Sequence, residues 1–294
     1  MPEILEFTVP DSFHGKQAKF FLRGYCRLSA RMITRLKREK DGILMNGKFL
    51  RTIDPVEAGA LVTLKLPSEE SEFVTPTEGL PDIVYEDGFL LAVNKPPFMP
   101  VHPVKQYQTD TLANHVTFYM KEKGERYVFR AHNRLDRNTS GLVLIAKDKY
   151  TVNCLKGNTQ KRYTAIVHGE MSGSGTIKEP IGLLEDSKIR RHVLKNGSPA
   201  ITHYEVLKAK NDISVLELWL ETGKTHQIRC HLSHLGHPLL GDDLYGGKRD
   251  LIDRHALHCG EMSFIHPVTG KKIILKAKIP EDMERIIKAI YTDT

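Results

Sequence analysis

Between Ser29 and Leu66 the spacing of apolar residues changes period twice. In "SARMITRLKREKDG", Met32, Ile33 and Leu36 fall on one face at 100° per residue, and Arg31, Arg35 and Arg38 fall on the other. The spacing predicts a helix capped by Ser29 and stopped at Asp41-Gly42. Two short apolar runs then flank Asn46-Gly47, a strong hairpin signal because both turn residues must take positive φ. A turn at Glu57–Gly59 and an alternating run from Leu61 to Leu66 complete a compact module over residues 1–70. The stretch Pro67 to Asp82 is acidic and carries three prolines, so residues 71–81 read as a linker. From residue 82 to 294 the apolar residues come mostly in short runs. "IVYEDGFLLAVNKP" predicts two strands around a turn at Glu86–Gly88, and "GLVLIAK", "RYTAIVHG", "ITHYEVLKAK" and "ISVLELWLETG" predict further strands. Helices are expected at Leu112–Lys123, Tyr150–Gln160 and Glu281–Ile290. Many strands with few helices indicate an α+β domain with a mixed or antiparallel sheet.

Charge sharpens this division. The 294-residue chain has a formal net charge of +7, which by itself points only weakly to a polyanionic partner. The segment from Lys16 to Arg51 holds eleven basic residues opposed only by Glu39 and Asp41, a net +9, and the remainder is close to neutral. Charged helix faces usually mix signs, and this one does not. No apolar run approaches the length of a membrane span. The N-terminal "MPEILEFTVPDSF" lacks the basic and apolar regions of a secretory signal. Cys26, Cys154, Cys230 and Cys259 form no CxxC pair. Together these features suggest a cytoplasmic protein without a membrane partner.

Nucleotide-binding glycine motifs are absent, as is the GxSxG of α/β-hydrolases. "THQIRCHLSHLGHP" places His226, His231, His234 and His237 close in sequence, which opens a metal reading, although no HExxH or finger pattern accompanies them. The densest polar cluster is "NRLDRNTSG", directly before the apolar run Leu142–Ala146. Within it Asp136 lies between Arg134 and Arg137. It could serve as a nucleophile, as a general base or as a neutralising partner for its arginines. Arg229 belongs to a second polar cluster, "TGKTHQIRCHL", and two such clusters beside strand-like sequence suggest a composite site.

"NRLDRNTSGLVLIAK" resembles the HRLDxxTSGLLLLAK motif of the RluA-type RNA pseudouridine synthases. "YEDGFLLAVNKPPFMPVHP", "KRYTAIVHG", "TGKTHQIRCHLSHLGHPLLGDDLYGG" and "RHALHCGEMSFIHPVTGKKIILKAKIPEDM" resemble the family's remaining motifs, in family order, over roughly Asp82 to Met283. The N-terminal module resembles, more loosely, the S-four-like RNA-binding domain often fused ahead of this catalytic domain. One departure is Asn133, which stands where the family usually has His.

The resemblance implies a pseudouridine synthase fold: a mixed, largely antiparallel sheet with flanking helices and a central cleft over residues 82–294. It implies conversion of uridine to pseudouridine, a redox-neutral isomerisation in which the N1–C1′ bond breaks, the uracil turns and C5 bonds to C1′. No cofactor and no metal are expected. Asp136 is the implied catalytic carboxylate and Arg229 its partner. Tyr163 would lie against the uracil ring and act as the base on the sugar. Arg134 would fill the space of the flipped base, with Asn133 also at the substrate. Arg31, Arg35 and Arg38 would contact phosphates. The expected partner is RNA, ribosomal RNA ahead of transfer RNA, and the chain is expected to be monomeric. Two rival readings are a non-catalytic RNA-binding or ribosome-assembly factor on the same fold, and a metal-dependent hydrolase built on the cluster from His226 to His237.

Overall fold

The computed structural model describes residues 4–66, 74–125, 128–183, 187 and 189–292. Residues 71–73 of the expected linker lie outside the described residues. The first part of the chain runs β1 (Ile4–Thr8), α1 (Ala18–Gly24), α2 (Ala30–Leu36), β2 (Ile43–Met45), β3 (Lys48–Phe49) and β4 (Leu61–Lys65). Its four strands form one antiparallel sheet in the order β1-β4-β2-β3. The Ser29 hydroxyl accepts a hydrogen bond from Met32 N at 3.1 Å, the N-cap that the sequence predicts. The helix is shorter than expected, ending at Leu36 and continuing as turns, so Arg38 lies two residues beyond its end. Asn46 and Gly47 take φ of 49° and 75°, the left-handed pair that the hairpin needs. Met32, Ile33 and Leu36 pack with Phe21, Leu22, Val62 and Leu64 in an apolar core.

The second part contributes β5 (Ile83–Glu86), β6 (Leu90–Lys95), α3 (Leu112–Glu122), β7 (Ser140–Ala146), α4 (Lys149–Cys154), β8 (Thr159–His168), β9 (Ser174–Lys178), β10 (Ile181–Leu183), β11 (Arg191–Val193), β12 (Ile201–Lys210), β13 (Ile213–Leu220), α5 (Gln227–His234), β14 (Leu257–Ile265), β15 (Lys272–Lys276) and α6 (Glu281–Tyr291). Nine strands form one sheet in the order β5-β6-β7-β14-β8-β13-β12-β9, with β15 paired to β14. Every pairing in it is antiparallel except β7 with β14. The helix expected over Tyr150–Gln160 stops at Cys154, and Gly157 turns the chain at φ 74° into β8.

All seven residues of β7 are buried, which explains its unbroken apolar sequence. Gly141, at φ 111°, lies where β7 meets β14, and a Cβ there would approach the Cys259 carbonyl oxygen to 2.3 Å. Only glycine permits this approach, and the approach fixes the start of β7 and with it the preceding loop. The two parts of the chain share packing: Tyr150 and Cys154 of α4 belong to the apolar core of the N-terminal sheet. The Phe7 and Tyr150 rings stand 6.3 Å apart, edge to face.

Candidate active site

Asp136 sits in the tight turn leading into β7, closed by Thr139 N donating to the Asp136 carbonyl at 3.1 Å. The next two side chains tie the turn to the β14 region. The Thr139 hydroxyl pairs with His255 Nε2 at 2.8 Å. Ser140 Oγ pairs with His258 Nδ1 at 3.0 Å, while His258 Nε2 lies 3.4 Å from the Ala277 carbonyl. The Nε2 proton therefore points to the carbonyl, and Nδ1 accepts from Ser140.

Two buried cations hold the same turn through its carbonyls. Arg254 is fully buried, donates to the Asn138 carbonyl at 3.1 Å and grips Asp282 at the start of α6 through two bonds of 2.7 and 2.9 Å. Lys95, at the end of β6, donates to the carbonyls of Pro96 at 2.7 Å and Arg137 at 3.1 Å. Burial, reinforced by the Arg254 and Arg137 charges and opposed by Asp136, pushes the Lys95 ammonium down to about 7.

Arg229 enters from α5. Gln227 anchors that helix: its side-chain oxygen accepts from Lys224 N and from the Thr222 hydroxyl, both at 2.9 Å, and its amide donates to the Ile201 carbonyl at 2.9 Å. The Arg229 guanidinium is gripped by Asp242, with Nε and Nη2 each 2.8 Å from a carboxylate oxygen, and it presents Nη1 to Asp136 Oδ2 at 3.0 Å. A planar fork can serve two carboxylates in this way, and an ammonium cannot. Burial opposes the Arg229 charge, but the two carboxylates more than compensate and raise its value. The Tyr245 ring lies 5.0 Å from the guanidinium carbon.

His226 completes this group. It precedes α5 with φ 56°, a left-handed conformation uncommon for a residue with a side chain. Its Nδ1 is 3.1 Å from the Tyr245 hydroxyl and its Nε2 is 3.7 Å from Asp136 Oδ2. The Tyr245 oxygen also accepts from Arg191 N at 2.8 Å.

Asp136, Arg229, Tyr163 and Arg134 line one small cleft with about 80 Å³ of space, together with Leu135, Leu220, Lys224 and Leu257. The larger cavity of about 470 Å³ lies elsewhere, around Leu80, Met99, Leu112 and Ile279, and includes none of those first four residues. Tyr163, on β8, is buried beside Cys259. Burial first, then Cys259 and Asp136, raise its phenol well above the usual value. The raised value favours the neutral phenol, which presents an uncharged ring to the cleft. Arg134 is exposed at the mouth of the cleft. Asn133 is turned away: its amide donates to the Leu142 carbonyl at 3.0 Å and accepts from Leu144 N at 2.9 Å. With both ends engaged on β7, it shapes the turn from behind. Arg31 and Arg38 are exposed and Arg35 is half-buried, in the other part of the chain.

The four neighbouring histidines diverge. His231 is buried between the Thr202 hydroxyl and the Glu179 carbonyl, His234 is exposed, and His237 faces the His168 carbonyl. Among the described residues no three His, Cys, Asp or Glu side chains converge as a metal site requires.

The family model for RNA pseudouridylate synthase matches residues 90–234. The uncharacterized RNA pseudouridine synthase YjbO of Bacillus subtilis is 39% identical over 272 residues, covering 90% of this chain and 96% of that protein. The ribosomal large subunit pseudouridine synthase D of Yersinia pestis is 35% identical over 272 residues, covering 86% and 84%. The chain belongs to the RluA-type RNA pseudouridine synthases. The human RNA pseudouridylate synthase domain containing 4 shares the fold at a TM-score of 0.58 and 24% identity, over 72% of this chain and 94% of that one.

In this pseudouridine synthase the sequence reading missed Asp242, Arg254 and His255. Asp242 was half visible, as one of two adjacent aspartates in "LLGDDLYGG". What turns it inward is Gly241 at φ 71°, where a Cβ would come within 2.1 Å of the Arg254 carbonyl oxygen. No helix among the described residues is long and apolar enough to cross a membrane.

Proposed function

We propose that this pseudouridine synthase modifies uridines of large-subunit ribosomal RNA, as a cytoplasmic monomer. In this reading Asp136 is the catalytic carboxylate, and Arg229 aims it. Tyr163 is the neutral platform beneath the uracil, and Arg134 occupies the gap left by the flipped base. Asn133 shapes the turn carrying Asp136. Residues 1–70 form an RNA-binding domain in which Arg31, Arg35 and Arg38 meet phosphates. The observation that carries the reading is the Asp136–Arg229–Asp242 arrangement, with one carboxylate presented at 3.0 Å to a guanidinium that a second carboxylate fixes. The choice of RNA is supported by the Yersinia pestis relative, whose likeness covers 86% of this chain.

The chemistry asks little else of the protein. The isomerisation exchanges one glycosidic bond for another, and the uracil must turn between the two events. A cleft with one charged edge, from Asp136 and Arg229, and one apolar edge, from Tyr163, Leu135, Ile228 and Leu257, holds the sugar side while leaving the base free to turn. The test is pseudouridine mapping of total RNA from cells with and without the gene. Loss of specific sites in large-subunit ribosomal RNA is expected. Loss confined to transfer RNA would overturn the target, and an unchanged map would overturn the activity in the cell.

A further inference from the structure

We propose that His226 is a positioning residue that, with Arg229, immobilises Oδ2 of Asp136 and leaves Oδ1 as the oxygen that meets the nucleoside. The proposal deepens the reading of Asp136 as the catalytic carboxylate and rests on it.

The argument starts from proton bookkeeping. The Tyr245 oxygen accepts from Arg191 N at 2.8 Å, so its own proton is free to be given. Its other partner is His226 Nδ1 at 3.1 Å, which receives that proton. Burial lowers the imidazole's value against the opposing pull of Asp136, which favours the neutral ring. A neutral ring that accepts at Nδ1 carries its proton on Nε2. That N–H faces Asp136 Oδ2 at 3.7 Å, and catalytic contacts of this length in an unliganded site commonly shorten once substrate is bound. Arg229 Nη1 donates to the same oxygen at 3.0 Å. Both contacts fall on Oδ2, and the carboxylate remains partly exposed to the cleft.

The backbone supports this reading. His226 adopts φ 56° in the residue before α5, where Ser, Thr, Asp or Asn would ordinarily cap the helix, and its side chain makes no capping bond. The left-handed conformation instead places the imidazole between Tyr245 and Asp136. His226 is also faced by Arg229, Asp242, Arg191 and His255, so its ring is set among fixed charges.

Two measurements on the full chain test the proposal. The first is the tautomer of His226, read from long-range proton–nitrogen correlations in histidine-labelled protein. The Nε2–H form is expected in the wild type, mixing with Nδ1–H in Tyr245→Phe. A wild-type Nδ1–H tautomer would overturn the proposal whatever the enzyme's substrate. The second is turnover on total RNA from cells lacking the gene. His226→Asn tolerates the left-handed backbone but is too short to reach Asp136. It should lower kcat about tenfold with KM for RNA within about twofold, the size expected for one hydrogen bond to a charged group. His226→Gln, whose amide reaches the Nε2 position, should recover most of that loss. Wild-type kcat in His226→Asn, or equal losses in the Asn and Gln variants, would overturn the proposal. Absence of wild-type turnover on this RNA would refute the proposed activity and leave the tautomer to decide the role of His226.

Discussion

Residues 4–66 and the remainder of the chain bury different kinds of side chain. In the first region the core is apolar throughout, and no described polar or charged residue is buried. From Lys95 onward the interior holds Lys95, Arg229, Asp242, Arg254, His255 and His258 among its leucines and valines. Both regions are proposed to meet RNA, yet only one of them brings charge inside. A partner met through its phosphates can be met by solvated side chains, because their field acts over several ångströms and the contacts need little aiming. A bond that must break at one carbon needs an oxygen held to a fraction of an ångström, and buried, fully paired charges provide that at a cost in desolvation.

The sharpest way to break this comparison is Asp136→Asn. The amide keeps the shape and loses the charge, so turnover should fall by about 10²–10⁴-fold. Folding and RNA affinity should stay near wild type. Retained turnover in the purified variant would remove Asp136 from the reaction. Arg229→Lys comes next. It keeps a positive charge but cannot grip Asp242 at two points and still reach Asp136. A loss of about 100-fold in kcat is expected, with a loss of about 3 kcal/mol in stability as Asp242 loses its match. Wild-type stability would mean that the buried pair contributes no rigidity.

Acid should separate the two regions. Burial pushes His132 and His258 down to about 4. Unfolded histidine titrates near 6.5, so the unfolded chain binds more protons between those values. Stability from these groups is complete above about 6.5 and is lost as the pH falls toward 4. Trp219, the only tryptophan, sits in β13 and reports on this region. Its urea-unfolding midpoint should drop steadily from pH 7 to pH 4.5, and a flat profile would contradict the burial of neutral imidazoles. The smallest effect is expected at the basic face. Replacing Arg31, Arg35 and Arg38 with Ala should flatten the slope of log K against log salt by roughly 2 to 3, while leaving kcat on a short RNA unchanged. An unaltered slope on long RNA would leave the face as solvated charge.

Local chemistry was legible in the sequence and distant pairing was not. The Ser29 cap, the Asn46-Gly47 hairpin and the apolar strand β7 each follow from neighbouring residues, and all three are present. The overlong helix at Tyr150 failed because residues from Thr159 onward are claimed by pairing with β14, a tertiary demand invisible in the local pattern. Helix α1 was missed because Gln17 gives it no side-chain cap. Motif resemblance named Asp136, Tyr163 and Arg229, and the fold brings them to one cleft. Asp242 and Arg254 stayed hidden because nothing nearby distinguishes Asp242 from Asp243, and the Arg254 partners Asn138 and Asp282 lie 116 and 28 residues away.

The packing of Tyr150 and Cys154 into the N-terminal core bears on how the gene can be cut. A shortened version starting at Asp82 removes Phe7 and its neighbours, and leaves Tyr150 and Cys154 of α4, with Phe89 just before β6, facing water. Such a fragment should come out of cells sticky and poorly soluble even with every residue of its cleft intact. Anyone wanting the smaller protein would need polar replacements at Tyr150 and Phe89 before trusting its kinetics.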